Sequence, residues 1–194
     1  MAATLDRTSE QATRIDDPFD NRFTRRHGVP NERPRKKVLP FMNEDVQAFI
    51  RRAPFAVLAT SDAAGRCDAS PRGGLPGFVR ILDERRLLLP DVKGNRLFQS
   101  YLNVEQNGNV GLLFMLPGSD KTVRVNGRAS VIEDDEVRRQ IGELAIHNPD
   151  EDAVLLQGLL IQVEEAYSHC PRSFSFADLW NTETIQANRG PKRA

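Results

Sequence analysis

The chain has 194 residues, of which 39% are hydrophobic, and this size and composition fit one compact domain with a polar extension. Its 27 basic residues balance its 27 acidic residues, so no net positive charge draws it to nucleic acid or to an anionic membrane. These values favour a small molecule or another protein chain as the partner.

The chain carries two cysteines, Cys67 and Cys170. They provide neither a disulfide framework nor the ligand spacing of a metal site, which indicates a reducing compartment and no bound metal. The N-terminus has no apolar core of a signal peptide, and no segment has the apolar length that crosses a bilayer. The sequence therefore predicts a cytoplasmic protein.

Residues 1–40 are polar and end in the basic run "RRHGVPNERPRKK". This composition predicts a solvated extension, with an arm that packs on a partner subunit as the alternative. A short amphipathic helix follows, because Asn43 is a typical N-cap residue and apolar side chains recur at helical spacing up to Pro54. We expect the folded domain at residues 41–185 and a polar tail at residues 186–194.

The pattern then becomes that of β-strands. The segments "FAVLATS" and "RCDAS" flank the turn-like "DAAG" and predict a hairpin, and "FVRIL" and "LLLP" around "DERR" repeat the arrangement. The next stretch, "RLFQSYLNVEQN", predicts a helix with Leu97, Phe98, Tyr101 and Leu102 on one face.

The second half of the chain continues with long strands. These are "NVGLLFML", "TVRVNGRASVIE" and, after an amphipathic segment from Val137 to Ala145, "AVLLQGLLIQVEEAY" with an interruption at Gly158. About six strands with short helices between them predict a closed or nearly closed antiparallel barrel, because closure removes exposed sheet edges.

The stretch "DASPRGGLPGFVRIL" is unusual for a strand region, since it holds two prolines and three glycines. Such residues mark a bulge, a bend or a close approach to the backbone. Arg72 follows Pro71 there, and its planar guanidinium suits a phosphate. The run "KGNR", Lys93 to Arg96, leads into a helix whose N-terminus also favours an anion. Either element alone is equally compatible with a solvated turn.

Residues typical of catalysis are scarce. There is neither a GxGxxG nor a GxxxxGK[ST] motif, which argues against a Rossmann dinucleotide site and a phosphate-binding loop of the nucleotidase type. Of the three histidines only His169, beside Cys170, lies in a context that suggests a site, and it is the candidate catalytic residue. A nucleophilic Cys–His pair is not favoured, because neighbours on a strand point to opposite faces.

The ordered series "DASPRG", "PDVKGNR", "TVRVNGRA" and a late "HC" resembles the pyridoxamine 5'-phosphate oxidase-like FMN-binding split-barrel proteins, and within them a group of FMN-dependent enzymes. The resemblance runs from about Phe55 to Trp180. It implies a mainly β fold, a six-stranded antiparallel split barrel that forms a homodimer with FMN sites at the subunit interface. It also implies an oxidoreductase that acts on a small molecule. The arginine pair that the true oxidases carry near the C-terminus is missing, which leaves their substrate in doubt.

The resemblance also assigns roles to residues. Ser70, Pro71, Arg72 and Gly73 would contact the isoalloxazine ring or the phosphate, and Leu89, Pro90 and Asp91 would line the ring. Lys93, Asn95 and Arg96 would hold the phosphate, with Ser100 and Asn103 behind them. His169 and Trp180 would come from the second subunit, and Arg124 and Asn126 would lie near the interface or simply face solvent.

Two other functions stay open at this stage. The same barrel fits a non-catalytic protein that carries flavin, a deazaflavin or haem, with His169 as an iron ligand. It also fits a cofactor-free dimeric interaction module. We favour FMN chemistry, because the flavin supplies the redox step and the protein then needs no acid–base triad.

Overall fold

The computed structural model describes residues 19–147, 149–151 and 153–189, and the chain divides into two units between Lys36 and Lys37. The first unit holds two short helices, α1 (Arg22–His27) and α2 (Glu32–Lys36). Asn21 caps α1, since its side chain accepts hydrogen bonds from the Phe23 and Thr24 amides. The predicted N-terminal extension lies outside the described residues up to residue 18, as does the C-terminal tail from residue 190.

The second unit begins with α3 (Glu44–Arg52), which confirms the predicted amphipathic helix. Asn43 Oδ1 accepts a hydrogen bond from the Val46 amide at 3.0 Å and so caps the first turn. Val46 and Ile50 point into the core, four residues apart on one face.

In the described part of the chain, seven strands form one antiparallel sheet. They are β1 (Phe55–Ser61), β2 (Cys67–Gly73), β3 (Arg80–Asp83), β4 (Arg86–Val92), β5 (Asn109–Met115), β6 (Thr122–Glu133) and β7 (Leu155–His169). Their order across the sheet is β2-β1-β5-β6-β7-β4-β3. The mainly β architecture agrees with the sequence, but the expected number of six strands is wrong: all seven segments with a strand pattern form strands, and the predicted hairpin of "FVRIL" and "LLLP" supplies β3 and β4.

Four further helices connect or follow the strands: α4 (Gln99–Gln106), α5 (Asp134–Ile141), α6 (Arg172–Ala177) and α7 (Thr182–Ala187). Two of them differ from the predicted segments. Helix α4 begins later than expected, so that Leu97 is 70% exposed, and Leu102 is also exposed while Tyr101 is buried. Helix α5 ends at Ile141 because Gly142 takes a left-handed φ of 69°.

The core fills the concave side of the sheet. Buried side chains alternate with more exposed ones along β1 and β5, and they join those of β6, β7 and α3 in one cluster that includes the fully buried Leu58, Leu112 and Phe114. A smaller cluster of Leu88, Val137, Ile141 and Leu155 lies under α5. Gly158 does not interrupt β7; a Cβ there would lie 2.7 Å from Val137 Cγ2, so glycine lets α5 approach the strand.

Strand β2 is an edge of the sheet, and this position explains its composition. It pairs with β1 alone, with Pro71 opposite Val57. Proline is tolerated on an edge strand because its missing N–H faces away from the ladder. Within the described residues, no helix has the length and apolar character needed to cross a bilayer.

Candidate functional site

A cleft of about 380 Å³ opens between the ends of β2 and β4. Its walls are Ser70–Gly73 of β2, Leu89–Val92 of β4, and the segment from Gly94 through the first turn of α4 to Tyr101. Its volume lies in the range of small-molecule sites, about 300 to 1,000 Å³. The cleft combines apolar walls with a polar end, as a planar ligand that carries a charged group requires.

The β2 wall presents polar side chains on one face. Because side chains alternate along a strand, Asp68, Ser70 and Arg72 point to the same side, and all three are half-buried between exposed neighbours. Arg72 Nη1 donates to the Pro71 carbonyl at 3.0 Å, and Nη2 lies 3.4 Å from Ser100 Oγ. The guanidinium is thus held at the first turn of α4.

Ser100 links α4 to β2. Its Oγ lies 3.1 Å from Asp68 Oδ2 and 3.3 Å from Ser70 Oγ. Asp68 is also hydrogen-bonded to Thr60 Oγ1, which accepts a bond from Asn103 Nδ2 at 2.9 Å. Ser100 and Asn103 therefore fix the orientation of α4 against β2 and β1.

The segment before α4 has an unusual backbone. Arg96 and Phe98 have φ values of 59° and 50°, a left-handed conformation that costs non-glycine residues about 1 kcal/mol or more each. Asn95 Oδ1 accepts a hydrogen bond from the Leu97 amide at 3.1 Å and supports the turn. No side chain caps α4, and its first-turn residues line the cleft, so the positive end of the helix dipole lies at the cleft.

Among the described residues of the cleft, the buried Nε of Arg72 lacks a hydrogen-bond partner, and the Tyr101 hydroxyl has the Asp91 carboxylate as its neighbour. Tyr101 is only 6% exposed, and burial together with the nearby Asp91 carboxylate raises the pKa of its hydroxyl. Unsatisfied buried donors are costly. In this cleft the unpaired Arg72 Nε indicates a ligand that accepts a hydrogen bond.

Asp91 lies on the β4 wall, opposite Gln157 of β7. Burial raises the pKa of its carboxyl. The positive charge of Arg72 lowers this pKa, and hydrogen bonds with Gln157 and Tyr101 lower it further, but burial has the larger effect. The carboxylate of Asp91 is therefore less stable in this cleft than it would be in water.

The structure brings most of the sequence-predicted residues to one place. The cleft is lined by Ser70, Pro71, Arg72, Gly73, Leu89, Pro90, Asp91, Asn95, Arg96 and Ser100. Lys93 is not among the lining residues, although its amide anchors the segment by donating to the Val154 carbonyl at 2.8 Å.

His169 and Trp180 do not line the cleft of their own chain. His169 ends β7 opposite Thr122 of β6, whereas the cleft wall Leu89–Val92 pairs with the other end of β7, Leu155–Leu159. Its ring lies 4.8 Å from that of Tyr167, and burial, then Arg124 and Lys37, lower its pKa. Trp180 stacks on Phe174 and donates to the Ser119 carbonyl at 2.9 Å.

Arg124 and Asn126 lie on β6 and share one acceptor. Arg124 Nη2 and Asn126 Nδ2 donate to Glu165 Oε1 at 2.9 and 3.0 Å. The Arg124 guanidinium also lies 4.7 Å above the Tyr167 ring. These residues form a cluster on the outer face of the sheet, separate from the cleft.

Sequence reasoning missed the roles of Asp68 and Tyr101. The spacing of two between Asp68, Ser70 and Arg72 was a signal, since it places all three on one face of a strand. Tyr101 gave no such signal, because an aromatic residue at helical spacing is normally a core residue.

Comparison with known proteins gives this cleft a context. Residues 42–170 match the family model described as pyridoxamine 5'-phosphate oxidase. A search of curated protein sequences found no significant match.

Among solved structures, the chain is similar to a single-residue variant of HupZ from Group A Streptococcus, with a TM-score of 0.50 and 18% identity over 66% of this chain and 99% of that one. It is also similar to a Lactobacillus delbrueckii protein named a "putative pyridoxamine 5'-phosphate oxidase", with a TM-score of 0.51 and 23% identity over 68% and 98% of the two chains. At these identities the similarity establishes the fold alone.

Proposed function

The chain belongs to the pyridoxamine 5'-phosphate oxidase family, and from this premise we propose that it binds FMN in the cleft and acts as an oxidoreductase on a small molecule. The observation that carries the proposal is the unsatisfied buried donor Arg72 Nε in a cleft of suitable volume beside an uncapped helix N-terminus.

The residues of the cleft fit a phosphorylated planar ring. Arg96, Asn95 and the free amides of the first turn of α4 would hold the phosphate, because a helix N-terminus offers unpaired N–H groups and a favourable dipole. Leu89 and Pro90 provide an apolar wall for the ring. When bound, FMN supplies the hydride or single-electron chemistry.

Arg72 has two tasks in this proposal. Its guanidinium places a permanent positive charge at the junction of the ring site and the phosphate site, and its hydrogen bonds to Ser100 Oγ and the Pro71 carbonyl fix its plane. A fixed cation stabilises negative charge on a ligand without reorganising. The backbone of Gly73, which also lines the cleft, lets a ligand approach closely.

We also expect the functional form to be a homodimer. The outer face of β1 and β5 carries Val57, Leu113 and Met115, which are half-buried, and the partly exposed Phe55. A second copy of this chain is the occupant that fits, because it would cover this apolar face and bring its own His169 and Trp180 towards the cleft. This arrangement follows the resemblance of the sequence to the split-barrel flavoproteins.

The test is the absorbance spectrum of the freshly purified protein, with the released ligand identified by mass after heat denaturation. The proposal expects flavin bands, an FMN mass and a higher melting temperature when FMN is added to stripped protein. A Soret band that disappears in His169→Ala would refute FMN binding and indicate haem binding instead. A colourless protein that FMN does not stabilise would refute it and favour an interaction module.

A further inference from the structure

Asp91 is the only acidic residue among those that line the cleft in the described part of the chain. Two arginines, Arg72 and Arg96, line the same cleft. The arginines raise the affinity of such a site for a phosphate-bearing ligand, whereas the carboxylate lowers this affinity because like charges repel. Asp91 therefore needs an explanation that a simple anion site does not give.

The surroundings of Asp91 come from four elements. Arg72 faces it from β2, Tyr101 from α4 and the uncharged Gln157 from β7, and Arg96 belongs to the segment that closes the cleft. Lys93 follows the end of β4 and is not among the residues that line the cleft. Arg72 is the cation whose charge acts on the Asp91 carboxylate.

Arg72 is shared between Asp91 and the place where an anion would sit. Its Nη2 points to Ser100 in the first turn of α4, while its charge stabilises the Asp91 carboxylate. A phosphate at the N-terminus of α4 would offset the positive charge of Arg72, which then stabilises the Asp91 carboxylate less. The phosphate would also place its own negative charge near Asp91. Both changes favour the protonated form of Asp91. Burial of this carboxyl group already disfavours its ionisation.

We propose that Asp91 couples ligand charge to proton uptake, so that a phosphate-bearing ligand enters the cleft together with one proton from solvent, which Asp91 binds. The inference rests on the proposed function and adds a specificity rule to it. An uncharged ligand of the same ring shape enters without the proton. The protonated carboxyl then offers a hydrogen-bond donor to the ligand, where the carboxylate could only accept.

The linkage has a defined sign. Between the pKa of Asp91 in the free protein and its higher pKa in the complex, binding takes up a proton, so affinity falls as pH rises. The limit is about tenfold in Kd per pH unit for one proton. The second ionisation of the FMN phosphate, with a pKa of about 6, acts in the opposite direction and must be separated from it.

The experiment is isothermal titration of stripped protein with FMN and with riboflavin, at roughly pH 4.5 to 7.5, in phosphate-free buffers of different ionisation enthalpy. The dependence of the heat on the buffer counts the protons taken up. Asp91→Asn keeps the shape of the side chain but cannot titrate. Asp83→Asn is the control, because Asp83 lies in the β3–β4 turn and pairs with Arg86 away from the cleft.

The proposal expects proton uptake with FMN that is lost in Asp91→Asn, retained in Asp83→Asn and absent with riboflavin. The ligand's own ionisation contributes equally to wild type and variants, so the difference isolates Asp91. Identical proton counts in wild type and Asp91→Asn would overturn the coupling and leave FMN binding in place.

Failure of the proposed function gives a different pattern. If neither flavin binds wild type at any pH, the assignment of FMN fails, and the coupling is decided by ¹³C NMR titration of the Asp91 carboxyl with and without inorganic phosphate. An Asp91 pKa that rises with phosphate retains the coupling for a non-flavin anion, and an unchanged pKa overturns it. This measurement uses wild-type protein and needs no variant to fold.

Discussion

Substitution of Arg72 tests the candidate site most directly. Arg72→Ala removes the guanidinium whose Nε has no partner and whose Nη2 reaches Ser100 Oγ at 3.4 Å. A hydrogen bond to a charged group contributes about 1.5 to 3 kcal/mol. Loss of a two-pronged contact to the ligand then costs about 3 kcal/mol, which raises the Kd for FMN roughly 150-fold.

Arg72→Lys separates charge from shape. Lysine keeps the positive charge but not the planar fork, so we expect an intermediate loss of about 1.5 kcal/mol, or roughly tenfold in Kd. The assay is quenching of FMN fluorescence on titration with stripped protein. Arg86→Ala is the matched control, since Arg86 is on β4 but pairs with Asp83 at 2.7 Å outside the cleft.

A small change in the Kd for FMN would refute this role of Arg72. If Arg72→Ala binds FMN within about threefold of both wild type and Arg86→Ala, the guanidinium does not contact the ligand. Melting curves and circular dichroism of the ligand-free variants show whether the fold is kept, so that a loss of affinity is not a loss of structure.

Three further substitutions test other parts of the molecule. Asp91→Asn should raise the melting temperature of the ligand-free protein at pH 7, because the substitution removes a buried carboxylate. Since the pKa of Asp91 is raised above 3.8, this gain in melting temperature should shrink as the pH falls towards 3.8. A gain that does not change with pH would contradict the burial of the carboxylate. Leu113→Glu on the outer face should yield monomers by light scattering, whereas Ala48→Glu on the exposed side of α3 should not. In Gly127→Ala the new Cβ would lie 2.0 Å from the Gln162 carbonyl oxygen, so we expect a loss of at least about 3 kcal/mol, or roughly 10 °C in melting temperature. Gly111→Ala, whose Cβ would meet side-chain atoms alone, Asn126 Oδ1 at 3.3 Å and Ala59 Cβ at 3.9 Å, should cost much less, and equal losses would show that the strand shifts freely.

Local signals in the sequence predicted the elements whose causes are local. Asn43 and the spacing of Val46 and Ile50 defined α3, because a cap and a 3.6-residue period depend only on near neighbours. The start of α4 was placed too early, since the left-handed turn at Arg96 and Phe98 is not the usual conformation of these residue types. That turn depends on contacts with strands distant in sequence.

The candidate site was predictable to a similar extent. Arg72 and Arg96 are predicted from anion-binding chemistry and Asp91 from the motif resemblance, and the structure places all three around one cleft. The hydrogen-bond chain from Asn103 through Thr60 and Asp68 was not predicted, because it joins residues that are 43 and 8 positions apart. The predicted roles of His169 and Trp180 depend on a second copy of the chain and stay predictions.

The position of the cleft between β2 and β4 affects how the site can change. Neighbouring strands are held about 4.8 Å apart by their backbone hydrogen bonds, but in the described part of the chain no ladder joins these two strands. The gap is instead set by side chains such as Ser100 and Arg72 and by the turn at residues 94–98. Its width is therefore adjustable by a few substitutions that leave the sheet intact, so one scaffold can be adapted to planar ligands of different thickness and tilt.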